Sequence, residues 1–454
     1  MKAENNYLLI SLVLTFALLV VCTLKGIFIG FPLALCWLNF AFIAWRRGYS
    51  LREILQMSYQ GGKKSLIVVR ILILVGAITS LWIAAGTTPA VLYYGIRLLN
   101  PKFFLVYAFL ISSAVSFLLG TSFGTVSTVG LALILMAKSG HLNSNMAAGA
   151  IIAGAYFGDR CSPMSSSANL VANLTTSNLY ENIKGMFRTG TLPFFLSALA
   201  YLGLSLNHPL TFAGNTMLTE ISRLFSLNWL VFSPALVILI LAFLKVDVKK
   251  SMLVSILLAG FISMEMQRRN LLAVLQIALL GFKLQVDSPL KTILQGGGIL
   301  SMWKVTLVVF VSCCLAGLFA ESNILKDFDQ FLAKAKSRSN KFLTTTIMSL
   351  LTSILGCSQT ISIVLTHSLM DKVYTEGRPA KTQLALDLEN TAVPLAALIP
   401  WNAAGFVPTS TLNVSLMGFI PFAFFLYLLP LLQILSIYIA NLRTSPLYQY
   451  RKNI

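Results

Sequence analysis

Two carboxylates, Asp159 and Glu389, each lie inside an otherwise apolar region of the chain. At the centre of a bilayer a carboxylate costs roughly 2.5–3.5 kcal/mol on insertion scales, so an acid kept there is a functional candidate by default. Neutral oxygen ligands gather around both. The first half offers Thr121, Ser122, Thr125, Ser127, Thr128, Ser162, Ser165, Ser166, Ser167 and Asn169. The second offers Ser358, Gln359, Thr360, Ser362, Asn390, Thr391 and Asn402. Hard cations such as Na⁺ take carboxylate, hydroxyl, amide and backbone carbonyl oxygens, the last exposed where a helix unwinds. The competing reading is structural. Asp159 has an ion-pair partner beside it in Arg160, and small hydroxyl residues pack membrane helices together. That packing role accounts for most single Ser and Thr residues, but not for their concentration at four places.

These residues sit in a chain of 454 residues that is 57% apolar and 11% charged, against ~25% charged in an ordinary soluble domain. The 34 Lys and Arg against 15 Asp and Glu give a formal charge of +19. That is too few charges of either sign to cover a soluble, nucleic-acid-binding surface, so no nucleic-acid partner is expected. Long apolar blocks recur through the whole length, which predicts an all-α integral membrane protein in contact with lipid; a β-barrel would show short alternating segments. Uninterrupted spans are expected over 7–23, 26–45, 65–86, 187–206, 227–244, 251–266, 301–320 and 415–439. Four further apolar regions are broken by small polar residues, at 120–125, 158–169, 356–360 and 389–402. Helix is interrupted in lipid only where the freed backbone groups are buried or line a polar cavity. Paired interruptions in two halves are the sequence pointer to a transporter site. Pro163, Pro394 and Pro400 fit such breaks, since each lacks a backbone donor.

The halves repeat. Leu51-Arg-Glu-Ile-Leu-Gln resembles Leu290-Lys-Thr-Ile-Leu-Gln, and Leu118-Leu-Gly-Thr-Ser resembles Ile354-Leu-Gly-Cys-Ser. The offsets from Leu51 to Gly120 and from Leu290 to Gly356 differ by three residues, and those to Asp159 and Glu389 by nine. Two repeats follow, 1–210 and 220–454, joined by 207–226 and forming one integrated membrane domain. Three full spans, a re-entrant helical hairpin, a broken transmembrane helix and a final span give five crossings per repeat. Five is odd, so the second repeat is inverted. With both termini and the 323–341 loop cytoplasmic, most Lys and Arg fall inside, in keeping with the positive-inside rule; 207–226 then faces outside.

Other residues are less telling. Glu321 reads as an interfacial residue and the 323–340 loop as a solvated connector. His367 on a hairpin arm is a packed histidine or a pH sensor. Trp401 closes a pocket or packs. The six cysteines suggest no disulfide framework, no His or Cys pair has metal-ligand spacing, and there is no Walker motif for ATP. No cofactor and no enzymatic activity are expected; an intramembrane protease would need paired acids or a Ser/His pair on continuous helices. A channel is compatible with four breaks, but inverted repeats carrying acids favour alternating access.

Three stretches resemble the NhaC family of Na⁺/H⁺ antiporters: Gly120-Thr-Ser-Phe-Gly-Thr-Val-Ser-Thr-Val-Gly130, Gly149-Ala-Ile-Ile-Ala-Gly-Ala-Tyr-Phe-Gly-Asp-Arg-Cys-Ser-Pro163 and Leu398-Ile-Pro-Trp-Asn402. Ser362-Ile-Val-Leu and Tyr93-Tyr-Gly95 extend the resemblance over about residues 50 to 415. It implies the ion-transporter superfamily fold, a homodimer and an elevator-like motion in a bacterial inner membrane. It also implies Na⁺ and H⁺ as coupling ions competing at Asp159 and Glu389. The family also contains malate/lactate exchangers and carriers of organic or amino acids. Where it usually has acids, this chain has Ser166 and Asn390. Two fewer carboxylates weaken cation binding, which keeps open a Na⁺- or H⁺-coupled carrier of a small organic acid or amino acid.

Overall fold

The structure is a computed structural model and describes residues 2–211, 214–244, 246–286, 288–292, 294–322, 332, 335–374 and 378–444. It is helical throughout. Among the described residues the one β-type pairing is the isolated antiparallel bridge between Phe282 and Gly296. Among the described residues six helices are long and apolar enough to cross a membrane: Leu51–Ala84, Pro101–Leu119, Ser122–Ser139, Leu179–Asn207, Ile299–Glu321 and Phe424–Asn441. A seventh is added if Leu218–Leu224 and Trp229–Phe243, bent by 97°, form one span. Ile10–Leu24, Gly30–Arg46 and Leu271–Leu280 are shorter apolar helices. Large apolar side chains such as Phe31, Leu199, Phe243 and Leu257 lie exposed on outward faces, as expected of a surface solvated by lipid. Most of the connector 323–340 and the C-terminal residues 445–454 lie outside the described residues, and with them the expected placement of that loop and of the C-terminus.

Three expected spans begin elsewhere; the one at 187–206 already starts at Leu179. The span at 65–86 is the second part of a 34-residue element, Leu51–Ala84, whose first part begins at a capping box formed by Ser50 and Glu53. The span at 415–439 begins only at Phe424. Asn413, in the left-handed region, ends the preceding helix, and Pro421 sits in a short 3₁₀ turn before the next one.

All four breaks are present and narrower than their polar composition suggests. At the first, Gly120 is left-handed (φ 64, ψ 28) and Thr121 extended (φ −154, ψ 126), and helix resumes at Ser122. At the third, Cys357 (φ 50, ψ 11) and Ser358 (φ −151, ψ 136) repeat that pair of conformations, and helix resumes at Gln359. The second break is confined to Ser162–Ser165, between the helices Ser144–Cys161 and Ser166–Leu174. The fourth runs from Thr391 through the short helix Ala392–Ala396 to Asn402. Polar residues inside the helices explain the narrowing. Thr125 Oγ1 donates to the Thr121 carbonyl (2.9 Å) and Thr128 Oγ1 to the Gly124 carbonyl (2.7 Å). A hydroxyl bonded one turn back is satisfied without unwinding the helix. A π-turn, Val126–Gly130, does interrupt the regular pitch there.

The Gly-Ala-Tyr-Phe-Gly-Asp run has a packing reason. The helix Ser144–Cys161 lies against Phe104–Leu119 so closely that a Cβ at Gly154 would meet Ser112 and Ser113, and one at Gly158 would meet Ser113, Ser116 and Phe117. Small residues four apart let two membrane helices approach backbone to backbone. Ser116 Oγ uses the approach to donate to the Ala155 carbonyl at 2.5 Å. Gly120 is required twice over, by its positive φ and by the Met164 backbone against the place a Cβ would take.

Candidate functional site

The glycine contact delivers Asp159 to the first break. Asp159 lies in the last turn of Ser144–Cys161, not inside the break as its polar surroundings suggested, and is 5% exposed. Ser122 Oγ, from the first turn after the first break, donates to its Oδ2 (3.0 Å). Ser165 Oγ, the N-cap of Ser166–Leu174, donates to its Oδ1 (2.8 Å). One carboxylate thus ties together two helix starts.

Arg160 is not its partner. Successive helical residues point about 100° apart, so Arg160 faces the other way and is fully buried among the helices Leu179–Asn207 and Arg378–Asn390. Its Nε donates to the Glu389 backbone carbonyl (3.1 Å), Nη1 to the Met186 carbonyl (2.9 Å), and Nη2 to Thr189 Oγ1 (2.8 Å) and Asn390 Oδ1 (2.5 Å). The ion pair with Asp159 expected on the structural reading is therefore absent.

Glu389 also stands in the last turn of its helix, is fully buried, and neither carboxylate oxygen has a hydrogen-bond partner among the described residues. Asn390 Oδ1 accepts from Arg160 Nη2 and Thr189 Oγ1, and its Nδ2 is unpartnered. Both acids thus end helices, where orphan carbonyls and the negative end of the helix dipole gather. Oxygen ligands of one sign are a setting for a cation or a proton.

The remaining candidates divide. Thr121 caps Gly124 N–H (3.4 Å). Thr125, Ser127, Thr128 and Ser362 bond back along their own helices. Ser162 accepts from Met164 N–H, and Asn169 Nδ2 donates to the Pro163 and Ser165 carbonyls, closing the second break. Asn402 caps Ala404 N–H and donates to the Ser353 carbonyl. Trp401, buried, donates to the Ile354 carbonyl (3.0 Å) and meets Phe16 edge-on, so it packs. Ser358 supplies its carbonyl to Ser362, and Gln359 Nε2 reaches the Val393 carbonyl (3.4 Å). Thr360 and Ser166 are exposed. Of the hydroxyl and amide candidates, Ser122 and Ser165 touch Asp159, and Asn390 adjoins Glu389.

Sequence reasoning missed Asp387. It is fully buried two residues before Glu389, paired with both terminal nitrogens of Arg338 (2.6 and 2.7 Å), and accepts from Tyr374 Oη (2.6 Å). Arg338 is thus no solvated connector charge. The signal was available: Asp387 shares its helix with Glu389, and a salt-bridged partner was needed to bury it. Beside the pair lies a cavity of about 640 Å³ lined by Arg188, Thr189, Gln383, Asp387 and Arg338 among others. Thr189 in its wall donates to Asn390 (3.2 Å).

Long apolar helices with large apolar side chains on their outward faces and buried carboxylates within define an integral membrane protein. Comparison with known proteins agrees. The profile described as the Na⁺/H⁺ antiporter family matches residues 154–440, beginning at the first of the two packed glycines. The chain is 30% identical to an uncharacterized Na⁺/H⁺ antiporter of Haemophilus influenzae, over 84% of each chain. It is 29% identical to the Na⁺/H⁺ antiporter NhaC of Alkalihalophilus pseudofirmus, over 90% of this chain and 89% of that one. It is 26% identical to the malate-2H⁺/Na⁺-lactate antiporter of Bacillus subtilis, over 87% of each. The chain belongs to the Na⁺/H⁺ antiporter family.

Proposed function

We propose that this chain is a secondary active antiporter that exchanges Na⁺ for H⁺, with Asp159 and Glu389 binding either ion in competition. The observation that carries this reading is the pair of buried carboxylates, each in the last turn before a helix break, one of them with both oxygens unpartnered. An unpartnered buried carboxylate is costly unless it is protonated or meets a cation, which is the alternation an exchanger needs. The matched backbone conformations at Gly120-Thr121 and Cys357-Ser358 support two repeats of one design, which this reading takes to be inverted. The reading includes a homodimer in the bacterial plasma membrane with both termini cytoplasmic. Labelling Asn215→Cys from outside tests the orientation; no labelling of a functional variant counts against it.

A second reading, in which a small organic acid moves with the cation, draws on the cavity beside Arg188 and Thr189 and on the malate/lactate relative. Proteoliposomes separate the two. A Na⁺ step across an otherwise sealed vesicle is expected to move protons the other way, without any organic solute. If protons move only when a carboxylate or amino acid is added, the second reading replaces the first. If neither Na⁺ nor any solute moves protons, both fail.

A further inference from the structure

The surroundings of Arg160 have the form of a cation site. A fully buried guanidinium is held by four neutral oxygens, the carbonyls of Met186 and Glu389, Thr189 Oγ1 and Asn390 Oδ1. Carbonyl, hydroxyl and amide oxygens are the donors a hard metal cation takes. The space is left open for the guanidinium: a Cβ at Gly190 would lie 2.9 Å from Nη1. Neutral oxygens satisfy its N–H groups but do not neutralise its charge, and an uncompensated buried charge is strongly destabilising. Glu389, whose own backbone carbonyl binds Nε, carries a buried carboxylate with no hydrogen-bond partner. Each group supplies the charge the other lacks, without direct contact between them.

We propose that Arg160 is a resident cation: it fills, from within the chain, an oxygen-lined position beside Glu389, and so reduces by one the number of external cations the site takes. The proposal rests on the reading of Glu389 as a coupling acid. It makes Arg160 a determinant of ion stoichiometry rather than a ligand. Removing the charge while keeping the fold should open the oxygen cage to a metal ion, because Gln is shorter than Arg and leaves the four oxygens facing one another.

The test is a count of ²²Na⁺ bound at saturation by the purified full-length protein. Arg160→Gln is expected to bind one more Na⁺ per chain than the unmodified protein, and Arg160→Lys the same number as the unmodified protein. A folded Arg160→Gln with an unchanged count overturns the proposal. If Arg160→Gln does not fold, the double change Arg160→Gln with Glu389→Gln decides. A folded double variant supports charge compensation. A double variant that fails to fold, while Glu389→Gln alone folds, makes Arg160 a purely structural hydrogen-bond donor and overturns the proposal. Failure of the underlying reading shows separately, as undiminished transport by Glu389→Gln alone.

Discussion

Asp159 and Glu389 occupy corresponding places in the two halves, each in the last turn of a helix that stops at a break, yet they are held in opposite ways. Asp159 accepts a hydroxyl from Ser122 and another from Ser165, so both its oxygens are fixed before any ion arrives. Glu389 has no such bonds; what is fixed around it is its neighbour Asn390, by Arg160 and Thr189, and its helix, by the Asp387–Arg338 pair. A carboxylate with two donors is oriented and its charge is partly met. A carboxylate with none has only the neighbouring Arg160 charge to meet its own, and its oxygens stay open to an ion or a proton. On the proposed function the two ends divide the labour, the first supplying geometry and the second a variable occupancy.

The largest expected effect falls on what anchors the second end. Arg338→Gln leaves Asp387 buried and unpaired, and should lower stability by about 3–5 kcal/mol, read as a fall in the thermal unfolding midpoint in detergent. Replacing both partners, Arg338→Met with Asp387→Leu, should recover most of it; no recovery would show that the pair does more than cancel charge. Next come the acids themselves. Asp159→Ala leaves the Ser122 and Ser165 hydroxyls without their acceptor and should cost about 1–3 kcal/mol. Glu389→Gln removes no hydrogen bond but leaves the buried Arg160 charge without its counterpart, so its cost should be recovered by adding Arg160→Gln, whereas that change should not recover the cost of Asp159→Ala. Recovery of both, or of neither, would erase the distinction between the ends. Smaller again, Ser122→Ala should cost about 1 kcal/mol and weaken Na⁺ affinity at the first end only, measured by Na⁺ titration of transport. The smallest effect belongs to Thr360→Ala: the side chain is exposed, and the change should stay within about 0.5 kcal/mol with transport intact.

How much of this was legible in the sequence follows from what each feature depends on. The apolar blocks and the four breaks are local properties of composition and are present in the structure; the two acids are buried as expected, but each lies in the last turn of a helix rather than inside its break. The Gly154 and Gly158 spacing was recognisable as a motif, though its packing partner, Phe104–Leu119, was not. Break widths were overestimated, because a polar residue such as Thr125 looks like unwound backbone in a sequence but bonds back along its own helix. The Arg160 partner was misread for a geometric reason: Asp159 and Arg160 point to different sides of their helix, and the oxygen acceptors of the guanidinium lie 26 to 230 residues away. Asp387 was passed over because its compensation comes from Arg338, inside a connector read as solvated.

The central claim is that both carboxylates carry the coupling ions. It is tested most directly by pH-gradient-driven ²²Na⁺ uptake into proteoliposomes containing Asp159→Asn or Glu389→Gln, each first shown to be folded and inserted at the level of the unmodified chain. The account predicts that uptake falls to that of empty vesicles in both. Uptake by either folded variant at the rate of the unmodified protein would contradict it.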